Sequence, residues 1–466
     1  MGGLFGEVSK DDCVLDVYYG TDYHSHLGTK RGGMCVLNSS GYSRAIHNIE
    51  NDYFRSKFEP DLPKLKGNKG IGVISDTDAQ PLIIGSHLGN FGIVTVGKIN
   101  NLEQLGKEAF DKRLHFSEMS GGEMHPTELV AMLICEGENF ADGIRRAQSV
   151  IKGSCSILLL TDSGIYAARD KLGRTPIVIG KKTGAYAAAS ESCSFPNLMF
   201  EIDRYLGPGE IVRITADGCE QYQKPGDKLQ ICSFLWVYYG YPASSYEDIN
   251  VENVRNRCGA VLAQRDDVEI DYVAGIPDSG IGHAIGYANE KHVPYIRPFV
   301  KYTPTWPRSF MPQNQTQRDL VAHMKLIPIR DLIEDKRLLF CEDSIVRGTQ
   351  LKDNIQKLFL YGAREVHMRP ACPTLIYPCD FLNFSQSRST AELATRKAII
   401  QLEGKEKDFE EYSDPKSDKY HAMVKQIAKN LDIDSLMYQE MGDLVEAIGL
   451  PKEKLCTHCW DGTGVY

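Results

Sequence analysis

An α/β protein of two domains is what this chain predicts, and three observations carry the expectation. Its 466 residues exceed what a single hydrophobic core usually serves. Up to about residue 225, short apolar runs recur between Gly, Asp and Asn turns, as in a β-rich mixed domain. Beyond that point apolar strands alternate with helical patterns, which argues for a parallel sheet with right-handed crossovers. The polar stretch Gln221–Gln230, containing Pro225 and Gly226, is the expected junction, giving domains at 1–225 and 226–466.

In the first domain the runs Gly70–Ser75, Gly92–Val96, Ser156–Leu160, Ile177–Gly180 and Glu210–Ile214 read as strands. Helical periodicity falls at Pro126–Cys135 and Phe140–Ile151. In the second, Tyr272–Ile276, Tyr295–Phe299, Arg337–Cys341 and Glu365–Arg369 read as strands, with helices at Gly282–Glu290 and Lys352–Gly362. Glu403–Tyr420 is strongly charged and reads as a solvated linker or helix face.

Composition excludes several functions. A net charge of −9 argues against a nucleic-acid backbone binder. No apolar run approaches membrane-spanning length, and the start of the chain lacks the basic and apolar regions of a signal peptide, so a cytoplasmic protein is expected. Thirteen cysteines in such a chain suggest reduced thiols or metal ligands rather than disulfides.

The most informative stretch is Leu338–Gln350. An apolar run ends in the acidic pair Glu342-Asp343, and Ser344-Ile345-Val346-Arg347-Gly348-Thr349 then turns into a helical pattern. Backbone N–H groups of such a turn, with the helix N-terminus behind them, suit a phosphate, while the acids suit ribose hydroxyls or a water-bridged magnesium ion. The same residues also fit an ordinary strand-to-helix turn with Thr349 as N-cap.

Set beside other strings, the stretch resembles the PRPP (phosphoribosylpyrophosphate) loop of the glutamine PRPP amidotransferase, or amidophosphoribosyltransferase, family. Those strings are Ile276-Pro277-Asp278-Ser279-Gly280, Arg308-Ser309-Phe310-Met311, Ala168-Arg169-Asp170-Lys171-Leu172-Gly173, Ala189-Ser190-Glu191-Ser192 and Gly207-Pro208-Gly209-Glu210. The resemblance covers nearly the whole chain. It implies an N-terminal-nucleophile hydrolase sandwich of αββα layers, followed by a type I phosphoribosyltransferase domain of purine nucleotide biosynthesis. It also implies PRPP and ammonia as substrates, magnesium, feedback by purine nucleotides, and a homo-oligomer, dimer or tetramer.

Residue by residue, the resemblance assigns PRPP binding to Asp278, Ser279, Lys301, Arg308 and Glu342 to Thr349, and magnesium to Ser279, Glu342 and Asp343. Two departures stand out there. Glu342 occupies a position where the family has Asp, and Tyr302–Pro307, with two prolines, lengthens and stiffens the mobile loop. In the glutaminase half the departures are larger. The nucleophilic cysteine matches Gly2, the carboxylate-gripping arginine falls in Gly72–Asp76, which contains none, the oxyanion Asn-Gly matches Val96-Gly97, and the amine-holding aspartate matches Pro126. No catalytic residue is expected in that half, and Cys13 and Cys35 read as buried structural thiols.

A terminal Cys456-Thr457-His458-Cys459 is ambiguous alone. In one branch of the family, however, four cysteines hold a 4Fe–4S cluster, and Cys232, Cys379, Cys456 and Cys459 fall on those positions; zinc is the second choice. The expectation is therefore an ammonia-dependent transferase with an inactive glutaminase half. The alternative is a non-catalytic PRPP- or nucleotide-binding regulatory paralogue.

Overall fold

The computed structural model describes residues 2–117, 119–120, 123–302, 326–382 and 390–464. Two antiparallel sheets are built before residue 224. In one, Gly3–Ser9 lies between Ala185–Ala189 and Lys69–Ser75, with Arg31–Asn38 and Gly41–Asn48 beyond the latter. In the other, Gly89–Ile99 and Gly153–Thr161 are central, flanked by Leu82–Ser86 and by Gly164–Ala168, Ile211–Thr215 and Gly218–Gln223.

Alternation sets the layers. Leu4 and Val8 of the first sheet meet Leu158, Leu160 and Ile165 of the second in a buried core between the sheets. Phe5 points the other way, with Val14 and Val17 of the helix Val14–Asp22. Ile93, Ile157 and Leu159 face Val130 and Ile134 of Pro126–Ile134 and Ile144 of Phe140–Val150. These are the expected αββα layers.

The strands Tyr272–Gly275, Arg337–Glu342, Glu365–Pro370 and Ser435–Leu436 form a parallel sheet in that order. Both its faces are covered. Val273, Leu339 and Cys341 pack on one side with Val254, Cys258 and Leu262 of the helix Val251–Gln264 and Tyr287 of Gly280–Lys291. Ala274, Leu338 and Phe340 pack on the other with Ile355 and Leu358 of Thr349–Leu360 and Ile427 of Asp418–Leu431. A buried pair fixes the first face: Arg369 grips Asp266 through Nε and Nη2, and the Tyr287 hydroxyl donates to the same carboxylate at 2.7 Å.

Two sequence readings change. Tyr295–Phe299 is no strand: Tyr295 makes one isolated bridge to Val273, and Pro294 and Pro298 lack the N–H groups a ladder needs. Phe299–Lys301 instead pairs antiparallel with Leu326–Pro328. The helix Val251–Gln264, absent from the sequence reading, was signalled by Asn250 as N-cap and Val251, Val254, Cys258 and Leu262 at helical spacing. Glu403–Tyr420 holds the short helix Phe409–Ser413 and the start of Asp418–Leu431, whose cap is Ser417.

Candidate active site

The acidic pair sits where the parallel sheet ends. Arg337–Glu342 lies inside the sheet, so its last residues open at the carboxyl edge, the usual ligand side of such sheets. Gly348 has φ +75°, a conformation in which a side chain is strained, and it turns the chain directly into the helix Thr349–Leu360. Thr349 is therefore the first helical residue and not the N-cap, and Gly348 holds the cap position with no side-chain cap bond.

Asp343 is the organising group. Its Oδ2 accepts from Ser279 Oγ at 2.5 Å and its Oδ1 from Ser344 Oγ at 2.6 Å. Ser279 arrives from the neighbouring strand through the Ile276–Gly280 turn, so two loops meet on one carboxylate. Glu342 Oε1 accepts the Asp343 N–H at 3.1 Å; burial, and then the Asp343 charge, push its carboxyl well above the usual carboxylate range. Ile345 is buried, Val346 accepts from Ala394 N at 2.8 Å, and Arg347 pairs with Glu392 at 3.3 Å. Lys301 and Asp278 form an ion pair at 2.5 Å. Arg308 and the loop stretch 303–307 lie outside the described residues.

The positions matched to the family's glutaminase site also converge. Gly2, Ile74, Ser75, Val96, Gly97 and Pro126 line a single pocket. None carries a nucleophilic thiol, an amide or a guanidinium. A Cβ built on Gly2 would lie 2.4 Å from the Ile74 carbonyl oxygen, so this backbone position has no room for any side chain. Beneath the pocket Asp78 accepts from Thr127 N and Oγ1, Thr77 Oγ1 and Gln80 Nε2, which ties the start of Pro126–Ile134 to the strand end at Ser75. Burial raises the Asp78 pKa, but His125 and these hydrogen bonds outweigh it and leave it lowered. Cys13 and Cys35 are both buried, and burial pushes both thiols up, Cys35 to about 12.

Cys232, Cys379, Cys456 and Cys459 line one small cavity walled by Phe234, Phe381 and Trp460. Ile231–Cys232 pairs in parallel with Leu455–Cys456, and both Ile376 N and Tyr377 N donate to Cys459 O at 3.1 Å. The chain thus brings three distant segments together on thiols. Burial holds Cys232 well above the usual thiol range; a hydrogen bond with Cys379, and then burial, do the same for Cys459. Among the described residues no three His, Cys, Asp or Glu side chains form a group that could hold a metal ion.

The chain thus joins an antiparallel sandwich with a pocket at its first strand to a parallel sheet that ends in an acidic turn. The family model for a glutamine amidotransferase domain matches residues 69–197. The amidophosphoribosyltransferase of Bacillus subtilis is 31% identical over 412 residues, covering 86% of this chain and 85% of its own. That of Methanocaldococcus jannaschii is 29% identical over 493 residues, covering 99% and 97%. Among solved structures, the glutamine PRPP amidotransferase from B. subtilis complexed with ADP and GMP superposes with a TM-score of 0.86 at 27% identity, covering 99% of this chain and 96% of that one. The chain belongs to the amidophosphoribosyltransferase family. Among the described residues no helix is long and apolar enough to cross a membrane.

Sequence reading had no signal for some of the residues at these sites. Glu392, the partner of Arg347, is far away in sequence and reaches it only through the fold. Asp76, Lys30 and Lys98 line the Gly2 pocket; Asp76 ends the quoted stretch Gly72–Asp76 and Lys98 follows Val96-Gly97, but nothing in the spacing marked any of the three as a pocket residue.

Proposed function

We propose that this protein makes phosphoribosylamine and pyrophosphate from PRPP and ammonia, and that its glutaminase half, residues 1–225, serves residues 226–466 as scaffold without hydrolysing glutamine. The observation that carries the reading is the contrast between the two strand ends. Asp343, Ser279 and Ser344 form a connected set of oxygen donors, whereas residue 2 has neither a side chain nor space for one.

The transfer asks for positioning and charge more than for covalent chemistry. The turn at 344–349 offers its backbone N–H groups to the 5′-phosphate. Glu342 and Asp343 face the ribose, whose ring gains positive charge as pyrophosphate departs, and Asp343 is the carboxylate that offsets it. Lys301 and Arg347 supply cations for phosphate oxygens once they leave Asp278 and Glu392. Ser279, Glu342 and Asp343 are all oxygen donors, which suits magnesium held by one or two carboxylates with water and substrate. When bound, that ion neutralises the leaving pyrophosphate. Ammonia enters free or from another protein.

The four cysteines suit a 4Fe–4S cluster. Their thiols surround one cavity, and zinc is the second choice for the same four ligands. The cluster's role would be to pin the C-terminal tail to the start of the second domain. Iron content and visible absorbance of anaerobically purified protein test this; a colourless, iron-free protein overturns it. Purine nucleotides, such as the ADP and GMP of the B. subtilis complex, are the candidate feedback ligands, and a homo-oligomer the candidate assembly.

Pyrophosphate release from PRPP and magnesium with ammonium chloride, but not with glutamine, is the expected result. Release with glutamine alone, or with neither, ends the proposal. The second reading, a PRPP- or nucleotide-binding regulatory protein, is favoured by Glu342 in place of Asp and by the internal pairing of Lys301 with Asp278. It predicts saturable binding without turnover.

A further inference from the structure

The space in front of Gly2 is a cavity of about 430 Å³, within the range of small-molecule sites and far above what a trapped water needs. Its hydroxyls are already committed: Ser75 and Thr77 bond to Asp78, and Thr95 to Thr127. Its cations are not. Lys30 and Lys98 both line the cavity, and among the described residues neither is in an ion pair. The one carboxylate on the wall, Asp76, already accepts the Thr29 N–H at 2.7 Å. Leu102 and Met124 give the cavity an apolar side. Two uncommitted cations against one engaged carboxylate do not select a net-neutral zwitterion such as glutamine.

We propose that this cavity is a binding site for a small organic anion, a carboxylate or a phosphate monoester, gripped by Lys30 and Lys98 with its carbon body against Leu102 and Met124. The site is separate from the transferase turn and stands whether or not the transferase is active. Uncompensated cations in a partly enclosed cavity attract an anion more strongly than they would in open water, because screening is weaker there.

Calorimetric titration of the full-length protein with succinate and with glycerol 3-phosphate, in a buffer free of multivalent anions, tests the proposal. One of the two anions is expected to bind at a one-to-one ratio. Lys30→Met and Lys98→Met should each weaken that binding about tenfold or more, the scale of losing a charge-assisted hydrogen bond. Lys98→Arg should retain it, and ammonium-dependent pyrophosphate release should be unchanged in all three variants. The proposal is overturned if neither anion binds, if glutamine binds as tightly as the better anion, or if binding survives the double Lys30→Met/Lys98→Met substitution. Glycerol 3-phosphate binding that survives belongs to the turn at 344–349 instead.

Discussion

Two strand ends in this protein face the same task with opposite equipment. At Arg337–Glu342 the chain runs out of the sheet into Glu342 and Asp343, and Ser279 and Ser344 close on Asp343 at 2.5 and 2.6 Å. At Gly3–Ser9 the chain begins beside a pocket of comparable promise, yet Gly2 brings no side chain and abuts the Ile74 carbonyl. The folds behind both ends are complete, with buried cores on each face of each sheet. Layer packing depends on apolar alternation and site chemistry on a few side chains at strand ends, so the same architecture can carry different groups at its sites.

The sharpest way to break the contrast is at Asp343. Asp343→Asn should lower pyrophosphate release about a hundredfold or more, since it removes the charge on which both loops converge. Retained activity in a steady-state assay would show that the turn is not the reacting site.

Acid titration separates the sandwich from its pocket. His24 is fully buried, its Nδ1–H donates to Gly20 O at 2.7 Å and its Nε2 accepts the Glu191 N–H at 3.1 Å. Burial lowers its pKa to about 4, against the attraction of Glu191. The folded state holds this ring neutral, so its stability is intact above the unfolded value of 6.5 and falls as pH drops toward 4, by about 3 kcal/mol. Denaturant unfolding of His24→Gln should start lower at neutral pH and show a flatter decline across that window. Burial raises the Glu191 pKa, but His26, His24 and Tyr246 more than reverse it, leaving about 2. Its loss therefore begins only as pH falls below 4.5. An unchanged slope in His24→Gln would assign the acid sensitivity elsewhere.

Restoring the family's cysteine sharpens the comparison from the other side. Gly2→Cys should yield no glutamate from glutamine and should destabilise the fold by about 1–3 kcal/mol, because the new Cβ meets the Ile74 carbonyl. Glutamate release by this variant would mean that the pocket is one substitution from activity. The smallest effect is expected at Glu342→Asp, where the shorter side chain should lower the KM for PRPP a few-fold and leave kcat nearly unchanged. No change in KM would show that the length of the side chain at residue 342 does not limit PRPP binding.

Local chemistry was legible in the chain. Leu338–Gln350 reads as strand, acids and turn because those signals are contiguous, and Gly348 at φ +75° takes the cap position first read as Thr349. Pro294 and Pro298 could have been read as breakers of the expected strand at 295–299, and Val251–Gln264 was readable by its spacing. The Arg369–Asp266–Tyr287 contact was not, since its members come from three elements that meet only in the folded sheet.

By itself the sequence determined the family strings, the absence of a thiol at residue 2, the acidic pair, and four cysteines in register with a known cluster set. Each is a statement about which atoms are present. The tertiary structure decided which of those atoms meet. It set Ser279 against Asp343, gathered cysteines from three segments around one cavity, and placed beside Gly2 two lysines that have no carboxylate partner among the described residues. Contacts between residues far apart in the chain depend on sheet order and packing, and short-range patterns carry no record of either.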